Sequence, residues 1–176
     1  MPIQYATAAS FRSLDSSILG PVLRTLVLVS WPCSRYRVMQ LVSDLGWTIT
    51  AEGANICADT MFPLNWTLGS FILLDDGLSQ LTSPVSDAIA AGDSAAHQRM
   101  SEMYGRVIQA AESILGPASD SRMSGIAETW WDIGSGGRIH IDRLSRFIQL
   151  QLMSARSADV ERFGETHDMS EYPEDE

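Results

Sequence analysis

The stretch DSAAHQRMSEMYGRVIQAAESILGP, residues 93–117, decides how the rest of the chain is read. Ala96, Met100, Met103, Tyr104, Val107, Ile108, Ala111, Ile114 and Leu115 recur in steps of three and four. That spacing lays them along one stripe of a 3.6-residue helix, which needs an apolar partner surface. Asp93 suits the N-cap, where a carboxylate accepts the first free amides, and Gly116-Pro117 stops the helix. The stripe fixes the kind of fold and carries no chemistry, so the partner surface must come from the flanking segments.

Those segments read as strands. Upstream, Thr48–Ile49, Asn55–Met61, Trp66–Leu74 and Leu78–Val85 carry the pattern, with Asp75-Asp76-Gly77 as a hairpin turn whose glycine is available for positive φ. Downstream come Ala127–Ile133, Arg138–Asp142 and Phe147–Met153, the first two joined across Gly134-Ser135-Gly136-Gly137. Ile139 and Ile141 alternate with Arg138, His140 and Asp142, while Ile148, Leu150 and Leu152 alternate with glutamines, as in an antiparallel sheet with one wet face. The segment between Pro117 and Gly125 reads as a polar loop.

Toward the N-terminus, Ser34 can cap a short helix that buries Val38, Leu41, Val42 and Leu45. It ends at Gly46 in the left-handed position, with Trp47 folded back over the last turn. Leu14, Ile18, Val22, Leu26 and Val29 fit an earlier helix from Ser13 to Val29, but Pro21 falls inside it. A helix starting at Pro21, or a strand over Leu26–Trp31, fits the same residues. A last short helix fits Ser154–Phe163. The expected fold is α+β: a single antiparallel sheet of about five to seven strands, with two to four helices packed mainly on one face. Residues 1–10 read as a disordered N-terminus, 11–158 as one domain and 159–176 as an acidic, flexible tail.

Composition narrows the functional classes. The 176 residues carry a net charge of -10, and residues 159–176 hold eight acids against one arginine. A negative surface repels phosphate backbones, which disfavours nucleic acid as a partner. All 12 basic residues are arginine, so a lysine Schiff base, a lysine general base and a P-loop lysine are excluded. Cys33 and Cys57 are the only cysteines and make no Cys-x-x-Cys pair, so two free buried thiols are expected. The apolar run Ile18–Trp31 is too short and too interrupted to span a membrane, and it lacks the basic start of a signal peptide. Cytoplasmic residence is the default expectation.

Catalytic and metal signatures do not assemble. His97, His140 and His167 fall on a helix, a strand and the tail, without metal-ligand spacing. The Gly134–Gly137 run precedes a strand pattern, so it reads as a turn and lacks the helix terminus of a phosphate loop. No Gly-x-Ser-x-Gly elbow occurs. Arg138, His140 and Asp142 share one strand face; the plain reading is a solvated face, the sharper one a recognition surface with Arg143 and Arg146. Trp130 and Trp131 are adjacent on a strand and must point to opposite faces, so one is a candidate anchor for a partner or a homodimer. No cofactor is expected.

One further signal is the order of short motifs: Trp31 before a helix ending Asp44-Leu45-Gly46-Trp47, then Asp75-Asp76-Gly77, Pro84-Val85-Ser86-Asp87, the helix ending Leu115-Gly116-Pro117, and Trp131 followed by a glycine turn and the strand Ile148–Leu152. Over most of residues 20–156 this resembles an uncharacterised family of small actinobacterial proteins. Relatives of that kind lie near genes for secreted polymorphic toxins, so the resemblance implies an immunity-protein role, with a toxin or secreted effector as partner. The resemblance assigns no functional residues. The expected function is a non-catalytic cytoplasmic protein-binding domain, immunity-like or chaperone-like, without nucleic-acid or membrane partners. The alternative is a small-ligand-binding domain in which the sheet curls over an apolar pocket lined by Trp and Met.

Overall fold

A computed structural model describes residues 4–75, 77–123 and 126–166, residue 166 by its backbone only. Its elements run α1 (Ser16–Leu26), α2 (Arg35–Asp44), β1 (Thr48–Glu52), β2 (Ile56–Asp59), β3 (Leu68–Leu74), β4 (Gly77–Pro84), α3 (Ser94–Leu115), β5 (Asp120–Arg122), β6 (Ala127–Asp132), β7 (Arg138–Arg143), β8 (Ile148–Met153) and α4 (Ala155–Thr166). All eight strands form one sheet in the order β1-β2-β3-β4-β8-β7-β6-β5, with every pairing antiparallel. Two four-stranded meanders therefore meet along β4 and β8, and α3 carries the chain from one to the other.

The sheet has eight strands where the patterning gives five to seven. The strand outside the expected set is β5, in the segment read as a polar loop. Asp120, Ser121 and Arg122 are all exposed, so they pair with β6 through the backbone alone and leave no hydrophobic alternation to read. The hairpin at residues 75–77 also differs in detail. Asp75 takes the positive φ of 51°, while Gly77 is already the first residue of β4. A short side chain that can bond locally lets aspartate visit that region.

Local signals set the helices as the sequence indicates. The Asp93 carboxylate accepts from the Ala96 amide at 2.9 Å, and Gly116 takes φ 83° at the other end of α3. Ser34 caps α2, Gly46 takes φ 71°, and the Trp47 amide donates back to the Val42 carbonyl at 3.0 Å. The ambiguous N-terminal run is a helix capped by Asp15, and Pro21 sits inside it on the exposed side. The lost proline N–H is offset by packing: Leu19, Val22, Leu23 and Leu26 are buried on one side of α1, which lies against α3. A Cβ on Gly20 would come within 3.2 Å of Ile114 Cδ1, so glycine suits that close approach.

The core lies between the sheet and α1, α2 and α3. Phe71, Leu81, Ile139, Ile141, Leu150 and Leu152 supply its sheet side, and Met100, Tyr104, Val107 and Ala111 line the inner stripe of α3. Tyr104 bonds Thr129 Oγ1 at 2.9 Å and donates to the Ile141 carbonyl at 3.0 Å. Burial, only partly opposed by the Thr129 hydrogen bond, pushes its phenol up to about 12. Residues 4–10, expected to be frayed, are tied down. The Ala6 amide donates to the Ala88 carbonyl, Asn65 Nδ2 to the Gln4 carbonyl, and the Arg146 guanidinium stacks 4.4 Å from the Tyr5 ring. Beside them the buried Asp87 carboxylate takes both side-chain and backbone N–H bonds from Arg12. Residues 1–3 and 167–176 lie outside the described residues, so the flexible-tail expectation beyond 166 falls outside them, while 159–166 belong to α4. Among the described residues, no helix is long and apolar enough to cross a membrane.

Candidate functional site: a clasped helix and the groove beside it

Residues paired across strands point the same way, so the core-facing row Ile139–Leu152 fixes the opposite direction for its neighbours. Arg138, His140 and Asp142 face away from the core, beside Trp130 and Asp132 on β6. The sequence pattern marks this face as wet. Instead α4 crosses it, placing Glu161 and Glu165 over β7. The buried Arg138 guanidinium donates to Glu161 Oε2 at 2.7 Å, Glu165 Oε1 at 2.6 Å and Asp132 Oδ1 at 3.0 Å. Arg162, also on α4, donates to Asp132 Oδ1 at 2.7 Å and to the Gly136 carbonyl at 3.1 Å, fastening the helix to the β6–β7 turn.

His140 lies beside this clasp. Its ring stacks on Trp130 with centroids 5.8 Å apart and an interplanar angle of 22°. Its Nε2 is 3.1 Å from Glu161 Oε2, and Nδ1 is 3.7 Å from Asp142 Oδ1, a separation beyond a hydrogen bond. Burial pulls the imidazole pKa down, but the carboxylates of Asp142 and Glu161 outweigh it and hold it above the ordinary 6.5. Burial likewise pushes Asp132 up, and its bonds from Arg138 and Arg162 outweigh this and hold it below the usual carboxylate range.

The six candidate surface residues separate. Arg138, His140 and Trp130 come together beneath α4, and all three are buried. Trp131 alternates with Trp130 and enters the core, where its Nε1 donates to the Gly116 carbonyl at 3.0 Å and satisfies the end of α3. Arg143 pairs with core-facing Ala127 and reaches Ser101 on α3. Arg146 sits in the β7–β8 turn and donates to the Ile89 carbonyl at 3.1 Å. Neither tryptophan is an exposed anchor, because α4 covers Trp130 and the end of α3 covers Trp131. Glu161, Glu165 and Asp132 were not singled out by the sequence. The legible signal was the i, i+4 spacing of Glu161 and Glu165, matched to the i, i+2 spacing of Arg138 and His140.

Next to the clasp lies a groove of about 870 Å³. It runs between the first turns of α4, the Trp31-Pro32 segment and the β3–β4 hairpin. Trp31, Pro32, Leu78 and Met153 line it, and Leu74 and Val160 stand at its rim, 62% and 69% exposed. Gly137 underlies it: a Cβ there would come within 2.7 Å of the Met153 carbonyl oxygen and 2.8 Å of Trp31 Nε1. Cys33 also borders it; burial pushes its thiol pKa up, although the Arg37 charge opposes this, so it is a poor nucleophile. Cys57 is half-buried on β2 and, like Cys33, is free. The edge strands offer less to a partner. The pairing of β1 is irregular between Ile49 and Ala51, and β5 is three residues long with two charges, the usual guards against strand addition.

Residues 21–154 match the pattern of a family of unknown function, DUF6301. The chain belongs to that family. The DUF6301 match spans the chain from within α1 to the end of β8, so α4 and its carboxylates lie outside the matched residues. No curated protein matches the chain, and no solved structure does either.

Proposed function

We propose that this DUF6301 chain is a non-catalytic binding domain whose groove beside α4 accepts an extended, apolar segment of another protein. The groove itself carries the reading: an apolar trough open to solvent, with two large aliphatic side chains left standing at its rim. Exposed apolar surface concentrated in this way favours association. The charge of -10 makes a partner with basic residues the complementary one. Two histidines lie among the described residues. His97 spans two backbone carbonyls, and His140 sits among carboxylates and a tryptophan. Each is thus engaged in holding the fold. An immunity-like or chaperone-like role is one setting for such a domain, the partner then being a toxin or secreted effector. The groove is open to solvent and not an enclosed cavity, which suits a polypeptide better than an enclosed small ligand.

Selection of a 12-residue peptide phage library on the full chain tests this. Peptides that depend on the groove should lose about tenfold or more in affinity against a Leu74→Ser/Val160→Ser variant, since two apolar rim contacts are removed. Both positions are exposed, so the variant should keep its circular dichroism spectrum. Peptides that bind both proteins equally, or no enrichment at all, would overturn the reading.

A further inference from the structure

We infer that Glu161 is the specificity-determining residue of the groove, and that it selects a segment carrying an arginine or lysine next to its apolar residues. This rests on the groove being a protein-binding site. Glu161 is the residue shared by two features, since it lines the groove and also faces the cavity of about 370 Å³ that contains Trp130 and His140. Its Oε2 is held from behind by Arg138 at 2.7 Å and His140 at 3.1 Å. Among the described residues, nothing donates to its Oε1. One oxygen is therefore fixed in place and the other is left to accept, an arrangement that needs little reordering when a donor arrives.

The local charge balance points the same way. Among the described residues, Asp132, Asp159, Glu161 and Glu165 pair with two guanidiniums, Arg138 and Arg162, while Arg122, which lines the same cavity, is taken by Glu128. The clasp is short of positive charge even with His140 protonated. At the groove, Arg156 and Asp75 pair with each other at 3.3 Å, which leaves Glu161 as the lining charge with no partner inside the groove. A cationic side chain entering from the groove would thus gain a charge-assisted hydrogen bond while the apolar part of its segment covers Leu74 and Val160.

The test uses a groove-dependent peptide from the selection, beside the same peptide with its arginine replaced by citrulline or its lysine by norleucine. Binding of both is measured against the wild-type chain and Glu161→Gln, at low and at high salt. The expected result is a loss of about tenfold for the basic peptide on Glu161→Gln, no change for the neutral peptide, and a weaker salt dependence in the variant. Unchanged binding of the basic peptide to Glu161→Gln, or selected peptides without any basic residue, would overturn the inference and leave the groove reading standing. Failure of the Leu74→Ser/Val160→Ser variant to weaken any peptide would instead remove the groove reading itself.

Discussion

Arg138 offers the sharpest check on how α4 is held. Its side chain is 2% exposed, whereas those of Glu161, Glu165 and Asp132 are 34%, 30% and 41% exposed. Removing a carboxylate partner strands a buried guanidinium, while removing the guanidinium strands acids that can turn to water. Glu161→Ala/Glu165→Ala leaves Arg138 with Asp132 alone. Alanine keeps α4 a good helix, so the loss is electrostatic. Breaking a buried ion pair costs ~3–5 kcal/mol, and the surviving Asp132 contact places this variant near the lower end, at about 3 kcal/mol. Adding Arg138→Met removes the stranded charge and should restore stability to within about 1 kcal/mol of wild type, since apolar replacement of a buried ion pair is often neutral. Urea unfolding followed by tryptophan fluorescence measures both variants, with the slope checked for constancy. The reasoning fails if the double variant unfolds at the wild-type midpoint, or if the added Arg138→Met deepens the loss. Either result would mean that Arg138 is hydrated and α4 does not seal it.

Three further outcomes follow from the same structure. The His140 pKa is raised in the folded chain, so its contribution is complete below the unfolded value near 6.5 and is lost as pH rises through the folded value. Melting temperature should fall over that alkaline-going interval, and His140→Phe, which keeps a ring against Trp130, should flatten the fall. Leu41→Ala should cost about 2–5 kcal/mol in chemical unfolding, because the side chain is buried where α2 faces the core, and near-neutral stability would reject that packing face. Gly137→Ala would force a Cβ within 2.7 Å of the Met153 carbonyl and against Trp31, so a loss of ~1–3 kcal/mol and a shift in tryptophan emission are expected from thermal melts read by fluorescence.

Much of this fold was legible because its instructions are local. The stripe of α3, the caps at Ser34 and Asp93, the left-handed glycines at 46 and 116, and the alternation of Ile139 and Ile141 each act within about one turn or one strand. Such patterns leave the same trace in any chain that uses them. The candidate site was legible only in fragments. Arg138, His140 and Trp130 read from the sequence as a surface, since nothing on β7 announces that a helix will cover it. The helix lies in a segment whose acids read as a solvated tail. β5 leaves no trace in the sequence for a related reason: an edge strand held by backbone bonds needs no side-chain pattern.

The sequence alone therefore determined an antiparallel α+β fold, the limits of α2 and α3, and the absence of lysine from its chemistry. Tertiary structure decided that β4 meets β8, that α4 crosses the far face, that Trp130 and Trp131 are both covered, and that a groove opens beside Glu161. The physical reason is range. Periodicity and capping are settled among residues a few positions apart, whereas a buried arginine meets its carboxylates, 23 and 27 positions away, only through the packing of α4 on the sheet.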